Sequence, residues 1–171
     1  MQGVNVGDRW DQLATAVSPR IHDHALAFND AHYRMVLSNC SQKSLYDEHC
    51  RSIDLFLRAS NPYSDAETFQ VTSLLGKYIF ESISDYSNGN YDSVVQKLYP
   101  IRNKIVNIGG SDDQRDVFTQ LIIFSGIKSS SKKCKKHART CVMERRQQKV
   151  GSPLAERLLY LLDAQLCGTC S

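Results

Sequence analysis

Two apolar helical runs joined by a three-residue turn constrain this chain more than any other feature. Residues 74–100 read LLGKYIFESISDYSNGNYDSVVQKLYP, with Gly89-Asn90-Tyr91 between the runs. Ser82 and Val94 are small or apolar positions on the two runs, and Pro100 stands near the end. A hairpin of two amphipathic helices cannot bury its own apolar face, so it must stack on further helices. A second pair follows from Asp112 to about Lys149, and Ser152-Pro153 opens a last helix. The recurrence lies near the period of about 34 residues found in helix-turn-helix arrays. Stacked hairpins build concave surfaces rather than enclosed catalytic pockets, so the pattern points toward binding.

The rest of the chain also reads as helix, with no run of alternating apolar residues. A short helix is expected from Gly7 to Ala16 around Trp10 and Leu13, ending near Ser18-Pro19. A longer one follows from His22 to about Cys40, with Phe28, Ala31 and Met35 as its stripe. The third, Ser44 to Ala59, carries Leu45, Ile53, Phe56 and Leu57, and Ser60-Asn61-Pro62 reads as a loop. The hairpin itself is Asp65 to Tyr86 and Tyr91 to about Asn107. Its second arm keeps the spacing Val94, Leu98, Ile101, Ile105, Ile108 through Pro100, which predicts a kink rather than a stop. Gly109-Gly110 ends that arm. Ser111 with Gln114 three residues on forms a capping box for the sixth helix, whose body is apolar nearly all round after Gln120 and is therefore expected at the centre. Ser129-Ser130-Ser131 is a turn, Lys132 to about Gln148 is the seventh helix, and Pro153 to Leu166 is the eighth, capped by Ser152 and stopped by Gly168.

The organisation is one helical-repeat domain over residues 1–171: three helices in 1–60, hairpins at 65–108 and 111–149, and a closing helix at 152–167. No run approaches the roughly 20 apolar residues of a membrane span, and MQGVNVGDRWDQ has neither the charged start nor the apolar core of a secretory signal. A cytoplasmic location with no membrane partner is the expectation. Six cysteines in two clusters do not make a disulfide scaffold in a chain without an export signal, so reduced thiols are expected. Charge is uneven. Lys128 to Lys149 holds nine basic residues against Glu144, a net +8, while the other 12 basic and 17 acidic residues carry −5. With no aromatic interleaved there is no stacking platform for bases, so a solvated helix face is expected rather than a nucleic-acid site.

Three constellations could carry chemistry. His22, His24, Asn29, Asp30 and His32 are metal-ligand types, but on one helix His24 and His32 would stand about 12 Å apart, too far for one ion. Paired helical ligands sit four apart. A hydrogen-bonded polar pair at a helix interface is the expected role. Cys134, His137 and Cys141 share a helix face, and Cys167-x2-Cys170 could complete a tetrahedral zinc set. Structural zinc pairs favour knuckles over a full helix, and the surrounding lysines repel a dication, so no metal is expected. The redox reading of Cys-Gly-Thr-Cys needs a strand before it and a helix after it. Gly109-Gly110-Ser111 opens a helix without a preceding strand, so it reads as a tight turn rather than a nucleotide loop. No Ser-His-Asp or Cys-His nucleophile follows from spacing.

Several strings resemble one family. Helix, Gly-x-Tyr turn, helix and proline is similar to a degenerate tetratricopeptide hairpin. The strings HALAFNDAH from His24, YPIR from Tyr99, IGGS from Ile108, QRDVF from Gln114, MER from Met143 and SPLAERL from Ser152 resemble, in that order, the C-terminal part of the tetratricopeptide repeat protein 38 family over about Gly7 to Leu162. The resemblance implies an all-α fold of antiparallel hairpins stacked as a tetratricopeptide-like α/α superhelix, and a family without an established activity. It also implies that this is the closing third of a longer solenoid. Trp10, Leu13 and Val17 are then expected to leave an apolar patch at one end, while Arg157, Asp163 and Gln165 face outward on the closing helix. The functional expectation is a protein-interaction scaffold with no cofactor. Its contact candidates are Tyr78, Gln114, Arg115, Asp116 and Gln120, with the group His24, Asn29, Asp30 and His32. The rival is an enzyme or metal-binding protein using His24, Asp30 and His32.

Overall fold

The computed structural model describes residues 6–59 and 66–168, and all their elements are helical. Helix α1 (Arg9–Val17) runs into a 3₁₀ turn at Ser18–Arg20, followed by α2 (Ala27–Asn39) and α3 (Lys43–Arg58). A nearly continuous helix then comprises α4 (Ala66–Val71), a π turn at Thr72–Gly76, and α5 (Lys77–Ser87). Next come α6 (Tyr91–Leu98), a 3₁₀ segment at Tyr99–Ile108, α7 (Asp112–Lys128), α8 (Lys132–Gln148) and α9 (Pro153–Cys167). No helix among the described residues is long and apolar enough to cross a membrane.

The hairpin at Gly89 forms as the turn chemistry demands. Gly89 has φ 79°, open to glycine and rarely to other residues, and lets α6 fold back on α5. Asp85 accepts from Ser93 at 2.7 Å and from Lys97 at 2.8 Å, and Glu81 also reaches Lys97 at 3.0 Å. Contacts that descend one helix while ascending the other make the pair antiparallel. Ile79, Val94 and Leu98 are fully buried in the shared core. Tyr78 is 43% exposed, because its position falls on the outer side of the Ile79, Phe80, Ile83 stripe.

Helix α7 is central, packed by α6, the 3₁₀ segment and α8. Phe118, Ile122 and Ile123 on it are fully buried, each contributing on the order of 1.5–3 kcal/mol through removal from water. Its capping box is complete: Ser111 Oγ accepts from the Gln114 amide at 3.3 Å, and the Ser111 amide donates to Gln114 Oε1 at 2.9 Å. Ser131 and Ser152 cap α8 and α9 likewise. α9 closes against α8, where Asp163 accepts from Arg139 at 2.6 Å. Asp163 therefore faces sideways. Arg157 is exposed as expected, Gln165 is half-buried rather than outward, and Tyr160, at 75% exposed, stands on the outer face.

Two local expectations are corrected. Residues 22–26 are not helical, so His24 stands off α2, and its φ of 44° breaks any helix there. Pro100 does not kink a continuous α-helix. Lacking an N–H, it sits near the start of a helical stretch, where no internal donor is needed, and the chain restarts in the tighter 3₁₀ pattern. The π turn has no counterpart in the sequence reading. The Ser60-Asn61-Pro62 loop lies outside the described residues.

At the other end Trp10 and Val17 pack around Ala14, Ile21, Val36, Leu37 and Cys40, an apolar cluster separate from the main core. Trp10 is half-buried within its own chain, and Leu13 remains 46% exposed.

Candidate functional site

Five of the residues expected to matter, His24, Asp30, Arg115, Asp116 and Gln120, fall into two groups on either side of one turn. Gly109 and Gly110 have φ of 95° and 77°, and a Cβ on Gly110 would lie 2.4 Å from the Phe28 ring. Only glycine lets this turn approach the start of α2 so closely.

On one side of that contact is a buried polar network. His24 Nδ1 lies 3.2 Å from Asp30 Oδ1, and His24 Nε2 lies 2.7 Å from Ser52 Oγ. His49 Nε2 reaches the same Asp30 oxygen at 3.5 Å. Ser52 Oγ also meets His22 Nδ1 at 2.9 Å, and His22 Nε2 meets Glu48 at 2.9 Å. Asp30 is 1% exposed and His49 fully buried. Burial acts to raise the Asp30 carboxyl, but hydrogen bonds from His24 and His49 outweigh it and hold it below its usual range. Burial, helped by Arg34, holds the His49 imidazole below its usual value against the pull of Asp30. The long His49 contact is thus a neutral imidazole donating to a carboxylate, not an ion pair. His24 is the sole non-glycine residue with positive φ among the described residues, a conformation that costs of order 1–3 kcal/mol and persists where its surroundings fix it. Phe56 helps to fix it, with its ring centroid 5.1 Å from that of His24.

His32 does not belong to this network. Its Nδ1 bonds the Phe28 carbonyl at 2.8 Å, and its ring packs on Phe28 and Phe118. Asn29 is half-buried at the start of α2 and outside the network. The grouping of His24, Asp30 and His32 is therefore replaced by His24, Asp30, His49 and Ser52. His49 was visible in the sequence as a polar residue midway between Leu45 and Ile53 on a four-residue stripe, and Ser52 one turn along was not. Among the described residues no three His, Cys, Asp or Glu are placed to hold a metal ion.

On the other side lies a cleft of about 470 Å³ between the 3₁₀ segment, α7 and α8. Arg115 donates to the Gly109 carbonyl at 3.0 Å and pairs with Asp112. Asp116 pairs with Arg145 and accepts from Gln120 at 2.8 Å. Arg102 grips Glu144 with two nitrogens, at 3.0 and 3.3 Å, and lies 4.1 Å over the Tyr99 ring. The Arg145 side chain is 10% exposed, and its Nε has no partner. Arg115 and Asp116 line the cleft, Gln120 braces Asp116, and Gln114 is spent on the cap. Tyr78 lies elsewhere, on the exposed side of α5.

The cysteine constellation comes apart. Cys134 faces the Asp92 carbonyl, while His137 stacks on Tyr99 with centroids 3.9 Å apart. Burial pushes the Cys141 thiol up to about 12, the reverse of what a thiolate ligand needs. Cys170 lies outside the described residues. Four of the nine basic residues of the segment are paired: Arg139, Arg145, Arg146 and Lys149 meet Asp163, Asp116, Glu156 and Asp113, while Lys128 sits against Tyr86 and Tyr91.

No family model matches this chain, and no solved structure matches it.

Proposed function

We propose that this chain is a helical-repeat module that binds a protein partner in the cytoplasm, through the cleft between the 3₁₀ segment, α7 and α8. The resemblance to the tetratricopeptide repeat protein 38 family and the antiparallel hairpins support a tetratricopeptide-like stack, and stacks of this kind present binding surfaces. The reading rests on fold analogy and on one observation. Arg145 in the cleft wall pairs with Asp116 and leaves its buried Nε without a partner, so the wall holds hydrogen-bonding capacity that its own side chains do not use. Arg102, Arg115, Asp116 and Glu144 line the same cleft, so the cleft suits an extended segment carrying polar and mixed charges rather than an apolar ligand. Charged pairs at such a surface govern specificity more than affinity. Binding here needs no cofactor and no catalytic group.

The test is a charge reversal across the cleft. Proteins cross-linked to the wild-type chain in cells are compared with those on Arg102→Glu and on the swapped pair Arg102→Glu/Glu144→Arg. The reading expects a partner that is lost with the single reversal and regained with the swap. An interaction profile unchanged by the single reversal, in a chain with normal helix content, would overturn it.

A further inference from the structure

The network around Asp30 has a feature that a merely buried polar pair would lack. It ends at a half-buried hydroxyl. We propose that Ser52 is a nucleophile with His24 as its general base and Asp30 as the orienting carboxylate, and that the chain cleaves small activated esters by acyl transfer.

Proton positions assign the roles. Asp30, held as a carboxylate, can only accept, so His24 must present N–H at Nδ1. The neutral imidazole then has its lone pair at Nε2, which lies 2.7 Å from Ser52 Oγ. The Ser52 hydroxyl must therefore donate to His24, while one Oγ lone pair faces His22 Nδ1 and the other is left for attack. Nucleophile, base and orienter within hydrogen-bond reach are the geometric signature of an activated serine. A structural network would need no strained backbone. Here His24 is held at φ 44° with its imidazole between the two oxygens, and an observed backbone outlier of this kind marks a site whose geometry is imposed.

The reaction balances with water alone. Ser52 Oγ bonds to the ester carbonyl carbon as its proton passes to His24 Nε2. The carbon–oxygen bond to the leaving group breaks, and His24 returns the proton to the departing oxygen. Water then gives a proton to His24 and attacks the acyl-Ser52, and the acid leaves as Ser52 regains its hydrogen. His22 Nδ1 lies on Ser52 Oγ and its Nε2 on Glu48, so this ring does not reach the carbonyl oxygen on which the charge of the tetrahedral intermediate develops. The amides around Ser52 belong to the interior of α3, so they supply no backbone oxyanion hole. The substrate must therefore carry a good leaving group, which selects aryl esters of short acids, and Phe56 beside His24 offers an aromatic wall.

The test uses the whole 171-residue chain. A fluorophosphonate probe is applied to wild type and Ser52→Ala, the labelled peptide is mapped by mass spectrometry, and p-nitrophenyl acetate turnover is followed in parallel. Labelling at Ser52 is expected, with turnover falling about 100-fold or more in Ser52→Ala, the scale of a positioned general base with its nucleophile. Asp30→Asn, which turns the His24 tautomer around, should lower labelling comparably. Ser52 is half-buried, so Ser52→Ala keeps the test valid if Asp30→Asn disturbs folding. Label scattered over other serines, tyrosines and lysines, or turnover unchanged in Ser52→Ala, would overturn the assignment.

Discussion

Asp30 and His49 lie within the described core, and both titrate below their usual values. Their linkage to stability therefore has one sign. A group whose folded value is depressed stabilises the fold above its unfolded value, and that contribution is lost as pH falls through the folded one. The unfolded chain takes up a proton at His49 below about pH 6.5, while the folded chain resists it, and Asp30 adds a second loss below about pH 4. The melting temperature should thus decline from pH 7 downward. His49→Gln should flatten the upper part of that decline, leaving a remnant from His137, which burial, Lys133 and Arg102 also depress. A His49→Gln profile parallel to wild type would show that His49 does not set the slope. Ser111→Ala removes one hydrogen bond of a complete capping box and should cost about 1 kcal/mol, a drop of about 2–4 °C for a chain of this size. An unchanged melting temperature would mean solvent replaces the cap fully. The cap was readable because its partners sit three residues apart. The network was readable only as a set of polar residues. Asp30 and His24 were in view, but their partners His49 and Ser52 come from another helix, and the turn at His24 depends on one torsion that no periodicity encodes.

Where two helices meet, a single atom decides between opposite expectations. Gly126 lies in the interior of α7, and Gly→Ala in a helix is ordinarily worth about 1 kcal/mol of stabilisation. Here the added Cβ would stand 2.3 Å from the Ala138 Cβ and 3.0 Å from the Cys134 carbonyl. Neither neighbour is a flexible side-chain end, so relief requires α7 and α8 to separate, and overpacking of that kind costs about 1–3 kcal/mol. The steric effect wins, and Gly126→Ala should lower the urea midpoint. Gly126→Ala/Ala138→Gly should recover part of the loss. A midpoint raised by Gly126→Ala alone would mean that the helices do not approach as closely as described. Helix ends were readable throughout this part of the chain because serine caps and glycine stops act locally. The switch from α to 3₁₀ at Tyr99 and the π turn at Thr72–Gly76 were not. The apolar spacing through Pro100 fits either helix type, and the π turn packs against α2 and the 3₁₀ segment, a matter of tertiary contact.

Two apolar clusters divide the molecule unequally. The larger runs from α2 through α9, while the smaller joins α1 to the 3₁₀ turn and the far end of α2. Regions with few buried apolar contacts open at lower free energy than the core, so α1 should be the first element to leave. What pins it is one carboxylate. Asp11 Oδ1 accepts from the Ser41 amide at 2.8 Å and from the Ser41 hydroxyl at 2.7 Å, and the amide bond most of all holds the Asp11 carboxyl below its usual value. The same sign rule applies: this anchor is present above the unfolded carboxylate value of about 3.9 and fades as pH falls below it. Trp10, the single tryptophan, sits on α1 against the small cluster and reports on that helix alone. Fluorescence and far-ultraviolet circular dichroism therefore observe different parts of one molecule. In urea at neutral pH, Asp11→Ala should shift Trp10 emission to longer wavelength well before the helix signal falls, while the main circular-dichroism midpoint stays close to wild type. A two-state chain gives coincident transitions by every probe. If the two curves of Asp11→Ala overlay, and both move together from wild type, α1 folds as part of the whole and the division into two clusters has no energetic meaning.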